Sequence, residues 1–511
     1  MSDGPWTLSL DIGTSSTRVL LWDTRGREVE GVKAQIQYRM QTTPDGGMEM
    51  PAPELLAHVG ECLDAALSQV GDRAQAIRAV GISTFWHALL GLDAQSEAVT
   101  PIYNWADNRS AEVARRLRAD LDSTAIHRRT GCVLHPSYYP AKLVWLRETQ
   151  PDLFARVTRW VSPSEYLFSR LFGSAACRVS ISMASGTGLF NQQTCRWDTE
   201  TLAAIGIAEE LLSPIVDLSE RAQGLQGEFA TRWPALKEIP FFPAIGDGAC
   251  GNIGSGCVSP ERFAINLGTS GAIRAVWDQS VPLAKAGAEY PASAPDGFWR
   301  YRVDIHRPVI GAAFSDGGHV YAWMSRTLQL PAPEALEAEL AKREPGAHGL
   351  SFLPFLAGER SLGWNPDARA ALLGLTIDTA PIEIVQAAME AVALRFGLAA
   401  AQLRALFPQS KEIIASGGAL GHSPVWSQMF ADALGQPLTL AAEPEASSRG
   451  AALLAMEAAG IIQATGEAEA RLGKTFHPIP AHAAPYAEML ALQQDYYARF
   501  IGVHPDRGKS E

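Results

Sequence analysis

The sequence holds no C-x-x-C pair and no His cluster at metal-ligand spacing. Its six cysteines, Cys62, Cys132, Cys177, Cys195, Cys250 and Cys257, are scattered over 511 residues. That pattern excludes a disulfide framework and a thiolate metal centre, and free thiols of the buried kind are expected. Basic charge is also scarce: 43 Lys and Arg stand against 55 Asp and Glu, a net −12. A chain with that balance has no overall positive field for nucleic acid or an anionic membrane. The N-terminus MSDGPWTL lacks a cationic segment leading into an apolar run, and no stretch of about 18 apolar residues follows. A cytoplasmic protein is expected. The Walker pattern G-x-x-x-x-G-K-[ST] is absent as well, which excludes that kind of nucleotide loop.

What is present is ordinary globular material, 47% apolar and 19% charged, far from the composition of a disordered chain. The length exceeds what one core supports, so two domains are expected. In PAPELLAHVGECLDAALSQVGD, Leu55, Val59, Cys62, Leu63, Ala66 and Val70 recur at helical spacing after Pro51 and Pro53. Strand-like and turn-like segments surround this helix, and KEIIASGGALGHSPVWSQMFADALGQPLTL reads as strand, Gly turn, helix, strand. SSRGAALLAMEAAG reads as the final helix. This alternation is α/β texture.

An internal repeat orders the chain. LDIGTSSTRVLL and INLGTSGAIRAV each read strand, Gly-Thr-Ser turn, strand, and Gly13 and Gly268 lie about half the chain apart. Two related α/β domains account for this, with a boundary near residue 250. The expected division is 1–250, then 251–490, then a C-terminal tail over 491–511.

Such a turn offers backbone N–H groups and hydroxyls, with Gly allowing close approach of a phosphate. One turn alone also reads as a hairpin. Its recurrence, the first time behind the acid Asp11, favours a phosphate site at Gly13, Thr14 and Ser15 and a second at Gly268 and Thr269. Gly417 and Gly418, ahead of a helix expected near Ser423-Pro424, offer a third anion-binding turn. GDGACG, Gly246 to Gly251, matches G-x-G-x-x-G, but about twenty residues on stands Asn266 where a dinucleotide site wants an acid. What remains distinctive there is Asp247, a carboxylate between glycines at the junction of the halves. Phosphoryl transfer to a hydroxyl needs positioning, Mg²⁺ and a base, and Asp247 is the candidate base. A turn-forming Asp is the alternative.

Nine segments in order, among them DIGTSSTRVLLWD, ISTFWHALLGLD, YNWADNRS, RRTGCVLHPSYYPAKLVWL, GDGACGNIGSG, INLGTSGAIRAV and ASGGALGHSPVWSQMFADALG, make the chain resemble the FGGY carbohydrate kinases. The resemblance spans nearly the whole sequence and implies two ribonuclease H-like domains of the actin and hexokinase type around a central cleft. It implies ATP and Mg²⁺ as cofactors, with Asp11 and Asp247 at the metal. Gly13, Thr14 and Ser15 would face the ATP phosphates, Gly268 and Thr269 the γ-phosphate, and Gly417 and Gly418 the α-phosphate and nucleoside side. Asp247 would take the proton of the sugar hydroxyl.

On the sugar side the resemblance implies Trp86 and His87, where relatives carry a Met-His or similar pair, with Trp105, Asp107 and Arg109. A satisfied core histidine is the alternative for His87. A structural ion pair is the alternative for Asp107 and Arg109, since Arg matches either a ligand carboxylate or a protein one. YNWADNRS, TGCVLHP and INLGTSGAIR are most similar to the gluconate kinases, so gluconate leads as acceptor, with xylulose or another polyol behind it. An actin-like or chaperone-like ATPase and an NAD oxidoreductase are the rivals from other classes. Ser180 stands where the family commonly has Asp. The partner expected is a small sugar or sugar acid, with neither nucleic acid nor membrane, and a homodimer stays open.

Overall fold

The strand Trp6–Ile12 is buried along its whole length, because it lies in the middle of a sheet covered on both faces. In the computed structural model, which describes residues 4–281 and 290–501, that sheet runs in the order Ile245–Gly246, Ile77–Thr84, Trp6–Ile12, Ser16–Trp22, Glu28–Gln37. The last three strands are antiparallel neighbours, and the first two run parallel to Trp6–Ile12. The second sheet repeats this arrangement. Arg262–Leu267, Gly271–Val276 and Pro308–Phe314 form the antiparallel part, and Glu412–Ser416 and Leu438–Ala441 the parallel part. Trp299–Arg302 and Leu472–Phe476 extend the two edges. The two Gly-Thr-Ser turns therefore join equivalent strands of two duplicated domains, as the repeat predicts.

The local signals hold where they are strong. In the helix Ala52–Val70, all six residues of the predicted apolar face are buried against the first sheet. Ser423 accepts from the Trp426 N–H at 3.0 Å and Pro424 opens the helix Pro424–Leu434, which ends on Gly435 at φ 63°, a start and stop built from side-chain capping and a left-handed glycine. The glycines before it, however, lead into a separate single turn, Gly418–His422. Helix Pro381–Leu406 is long and apolar enough to cross a membrane, but 83% of its most apolar window is buried in the second core. All six cysteines are free, five of them buried.

The predicted boundaries differ from the observed ones. Residue 250 falls inside the helix Asp247–Gly254, which belongs to the first core. The chain then crosses back: helix Ala446–Ala458, predicted as part of the second domain and as the last helix, packs Ala451 to Met456 into the first core. Three glycines permit this. A Cβ on Gly81 would collide with the Ala451 carbonyl, one on Gly254 with that of Ala446, and one on Gly450 with that of Cys250. The predicted tail from 491 begins within a further helix, Ala483–Phe500, where Gln493 donates to the Phe352 and Ala391 carbonyls at 3.2 Å. A tightly packed small-residue seam carries no apolar period that a window of sequence can register.

Gly450→Ala is expected to lower unfolding stability by about 1–3 kcal/mol, the usual cost of overpacking. Gly421→Ala, where a Cβ meets nothing within 4 Å, is expected to be neutral or to stabilise by up to about 1 kcal/mol. Urea titration of both variants against the parent checks the contrast; equal midpoints would refute the seam.

Candidate active site

Strand register sets the acidic end of the site. Asp11 pairs with Arg18 on one side and Ser83 on the other, while Gly246, immediately before Asp247, pairs with Thr84. Both carboxylates thus emerge at the carboxyl ends of parallel strands that flank Ile77–Thr84 on either side, where α/β sheets place ligands. They line one cleft of about 500 Å³, shared with Arg18, Arg274, Asn266 and Glu445. Burial pushes the Asp11 carboxyl up to about 6; the Ser83 hydroxyl and Arg18 pull it down, and Asp247 and Glu445 push it further up. The Asp247 carboxyl is also raised by burial, against the opposing pull of Arg274 and of the Gly248 N–H, which donates to its Oδ1 at 2.7 Å. Two buried carboxylates that disfavour each other's ionisation suit a divalent cation between them.

The opposite wall comes from the second domain. Asn266 pairs with Ser416 in the register that Asp11 and Ser83 occupy in the first sheet, and its Nδ2 donates to Ser416 Oγ at 3.2 Å. Gly417 sits at φ 102°, and a Cβ there would strike the Leu267 carbonyl, so only glycine fits. Gly418 lines both this cleft and a second cavity of about 670 Å³ walled by Gly268, Thr269, His319, Tyr321 and Trp426. The Thr269 turn is tied down from below: Gly318 N–H donates to the Gly268 carbonyl at 2.7 Å, and His319 Nδ1 donates to that of Thr269 at 2.8 Å. A polar cleft opening onto a cavity with aromatic walls has the form of a nucleotide site.

The first turn is placed differently. Gly13, Thr14 and Ser15 line neither cavity. Gly13 is held by its N–H to the Ser16 carbonyl and by Tyr38 Oη donating to its own carbonyl at 2.6 Å. Thr14 Oγ1 accepts from Trp105 Nε1 at 3.2 Å, and Ser15 is exposed.

Trp86 and His87 sit in an aromatic nest with Tyr138, Trp299 and Tyr301, while Trp105 lies under Arg360. Trp86 lies edge-on to Tyr301 at 5.0 Å and donates from Nε1 to the Ser182 carbonyl at 2.9 Å. A Cβ on Gly246 or Gly248 would collide with its ring, so these glycines make room for an indole and not for a pyrophosphate. That removes the basis of the oxidoreductase rival. His87 is a non-glycine residue at φ 67°, a backbone strain that surrounding packing must hold. Burial drives its pKa down to about 3, and its Nδ1–H is spent on the Gly186 carbonyl, which leaves a neutral imidazole with Nε2 as an acceptor.

Asp107 and Arg109 take the ion-pair alternative. Arg109 donates from Nε to Asp107 at 3.1 Å and from Nη2 to both Asp107 and Glu49, while lying over Tyr103 and Trp145. Its charge is committed to two carboxylates. Asp107 also accepts the Met48 N–H at 3.0 Å. Ser180 is likewise occupied: it caps the helix Ile181–Ser185 by accepting from Met183 N and donates to the Ala244 carbonyl at 2.5 Å.

Residues that motif reading passed over are Arg274, Arg360 and Ser448. Arg274 stands on the strand after the second turn, 6.0 Å over Trp299. Arg360 lies over Trp105 and Trp364 at 5.4 and 5.8 Å. Ser448 donates to Asp11 Oδ2 at 3.3 Å. Arg274 lies within the quoted INLGTSGAIR and Ser448 within the quoted SSRGAALLAMEAAG, but no local pattern in either stretch points to the contact it makes.

Duplicated ribonuclease H-like domains with acids at one strand end and glycine turns opposite define a phosphotransferase of the sugar-kinase class. The chain belongs to the FGGY family of carbohydrate kinases, matching its N-terminal domain over residues 6–254 and its C-terminal domain over 264–459. It is 28% identical to a gluconokinase of Bacillus subtilis (strain 168), over 95% of this chain and 94% of that one. Its structure is similar to that of a gluconate kinase from Lactobacillus acidophilus (TM-score 0.87, 27% identity, 97% of this chain and 98% of the other). It is similar in the same degree to a ligand-bound xylulose kinase from the same organism (TM-score 0.88, 27% identity, 99% of each chain). The protein is a kinase that transfers a phosphoryl group from ATP to a hydroxyl acceptor.

Asp11 carries a stability signature. Its folded value of about 6 lies above the ordinary 3.8, so the folded state disfavours the ionised form. The resulting cost grows as pH rises from near 3.8 through 6 and is absent below. Asp11→Asn is therefore expected to stabilise the protein at pH 7.5 by up to roughly 3 kcal/mol, with the gain vanishing at pH 4 while activity is lost. A gain independent of pH in urea titrations would sink the assignment.

Proposed function

We propose that the acceptor is gluconate, phosphorylated on its terminal primary hydroxyl to 6-phosphogluconate. The observation that carries the reading is the convergence of Asp11, Asp247 and Arg274 on one cleft, with the Trp86 ring packed against Gly246 and Gly248 on either side of Asp247. Asp247 is the base. Gly248 N–H occupies its Oδ1 at 2.7 Å, which leaves Oδ2 to take the hydroxyl proton, and Arg274 favours its ionised form against burial. Gly268, Thr269, Gly417 and Gly418 cradle the nucleotide, whose base enters the cavity walled by Tyr321 and Trp426.

Asp11 and Asp247 are the residues that would hold Mg²⁺, a pattern of one or two carboxylates plus phosphates that this ion prefers. When bound, it neutralises charge on the transferring phosphoryl group. Trp86 and the neutral His87 bind and orient the polyol hydroxyls, His87 through its free acceptor Nε2. Thr14, placed by Trp105, meets the phosphate from the first domain as the cleft closes and water is excluded. A ketose acceptor is the second reading, favoured by the equal structural likeness to a xylulose kinase.

ADP release with Mg-ATP across gluconate, xylulose, ribulose, glycerol and related polyols decides between them. Gluconate is expected to give the highest kcat/KM. ADP production that no acceptor raises above background would refute an acceptor kinase and favour the ATPase. Asp247→Asn is expected to retain ATP binding while acceptor-dependent turnover falls at least about 10²-fold, the scale of a lost general base; unchanged turnover removes it from that role.

A further inference from the structure

Strand register places Arg274. In the second sheet it pairs with Ala264 on one side and Gly311 on the other, and Gly311 pairs in turn with Trp299. Residues paired in this way share one face of the sheet. Gly311 lacks the Cβ that would collide with the Trp299 ring, so the ring reaches across to Arg274, whose guanidinium lies 6.0 Å over it. The other side of the guanidinium packs on the first domain: a Cβ on Gly248 would meet its Nε at 2.8 Å. A cation rooted in the strand that follows the Gly268-Thr269-Ser270 turn is thus held against the residue that follows Asp247.

The charges along the cleft leave this cation unused. Asp11, Asp247, Glu443 and Glu445 line it against Arg18 and Arg274. Arg18 is taken up by Asp11 and Glu445, each at 3.5 Å. Among the described residues no carboxylate stands within ion-pair distance of Arg274, Asp247 included, and its Nε is buried without a hydrogen-bond partner. Of the arginines lining the cleft, Arg274 is therefore the one left for a ligand anion. In phosphoryl transfer the charge is spread over three equatorial oxygens, and a planar guanidinium fork meets two of them at once. Standing beside Asp247 without pairing to it, Arg274 can serve that charge and leave the carboxylate open to a proton.

We propose that Arg274 is a catalytic residue whose guanidinium donates to the equatorial oxygens of the γ-phosphoryl group as that group passes from ATP to the acceptor. The acceptor oxygen forms a bond to the γ-phosphorus while the bond from that phosphorus to the β,γ-bridging oxygen breaks. ADP leaves with the bonding pair, and the hydroxyl proton goes to Asp247. The inference rests on the role of Asp247 as base proposed above and on no particular acceptor. A contact that tightens as charge develops lowers the barrier and leaves the binding of substrates largely unchanged.

Steady-state kinetics of the full-length protein, with Mg-ATP and the acceptor it uses best, test the assignment. Arg274→Met is expected to lower kcat at least about 10²-fold, the scale of one lost transition-state donor, with KM for ATP and for the acceptor near the parent's. Titration calorimetry supplies a readout without turnover. Affinity for Mg-ADP with aluminium fluoride, which mimics the group in transfer, should fall by about the factor lost in kcat, while affinity for Mg-ADP alone stays near the parent's. Arg274→Lys, which keeps the cation and loses the fork, is expected to fall between parent and Met variant, and it gives the same comparison if the Met variant does not fold. An arginine that served only the base would lower kcat and leave both affinities alone; that outcome, equal losses in the two affinities, or an unchanged kcat overturns the assignment. Full turnover in Asp247→Asn overturns the base reading alone, and the two affinities still decide the case of Arg274.

Discussion

The contact on which the site depends is backbone against backbone. Gly81, Gly254 and Gly450 let the helix Ala446–Ala458 settle directly on the strand Ile77–Thr84 and the helix Asp247–Gly254. No side chain separates them, so the distances across the seam are fixed by the main chain itself. The consequence reaches the chemistry at once. Ser448 donates to Asp11, Ser447 donates to the Asp247 carbonyl at 3.3 Å, and Glu445 pairs with Arg18 and Lys33. Three stretches separated by some two hundred residues each are locked into one cleft wall.

Charge in the site is graded. At the strand ends Asp11 and Asp247 are held in a buried field that resists their ionisation. Toward the aromatic cluster the balance reverses, with Arg274 over Trp299, Arg360 over Trp105 and a neutral His87 nearby. Burial makes the acidic end costly to ionise without a counter-charge.

Much of this was legible in the sequence for a physical reason. The turn glycines, Asp11 and Asp247 sit in short motifs whose chemistry is local, and duplication prints the same motif twice. The capping of Pro424–Leu434 by Ser423 and Gly435 is local in the same way. What escaped was long-range. Whether Arg109 binds a ligand or a protein acid is decided by Glu49, sixty residues away, and sequence alone left the two open. Arg360 comes into play through Trp105, from the other domain. The helix Ala446–Ala458 was legible as a helix, but its docking on the first core was not, because alanine and glycine packing lacks the bulky apolar spacing by which a buried face is recognised.

Arg449 gives that crossing helix a bearing on how the protein is made. Its guanidinium ties together the carbonyls of Gly26, Gly254, Ala468 and Glu469, and a buried arginine left without them would be severely destabilising. The first domain thus contains a strand pair read from the start of the message and a fastening supplied from near its end. During synthesis the N-terminal sheet has to wait, incomplete along one face, until some 450 residues have emerged. The first domain cannot complete its core before the helix Ala446–Ala458 has been made, whatever the second domain has done by then.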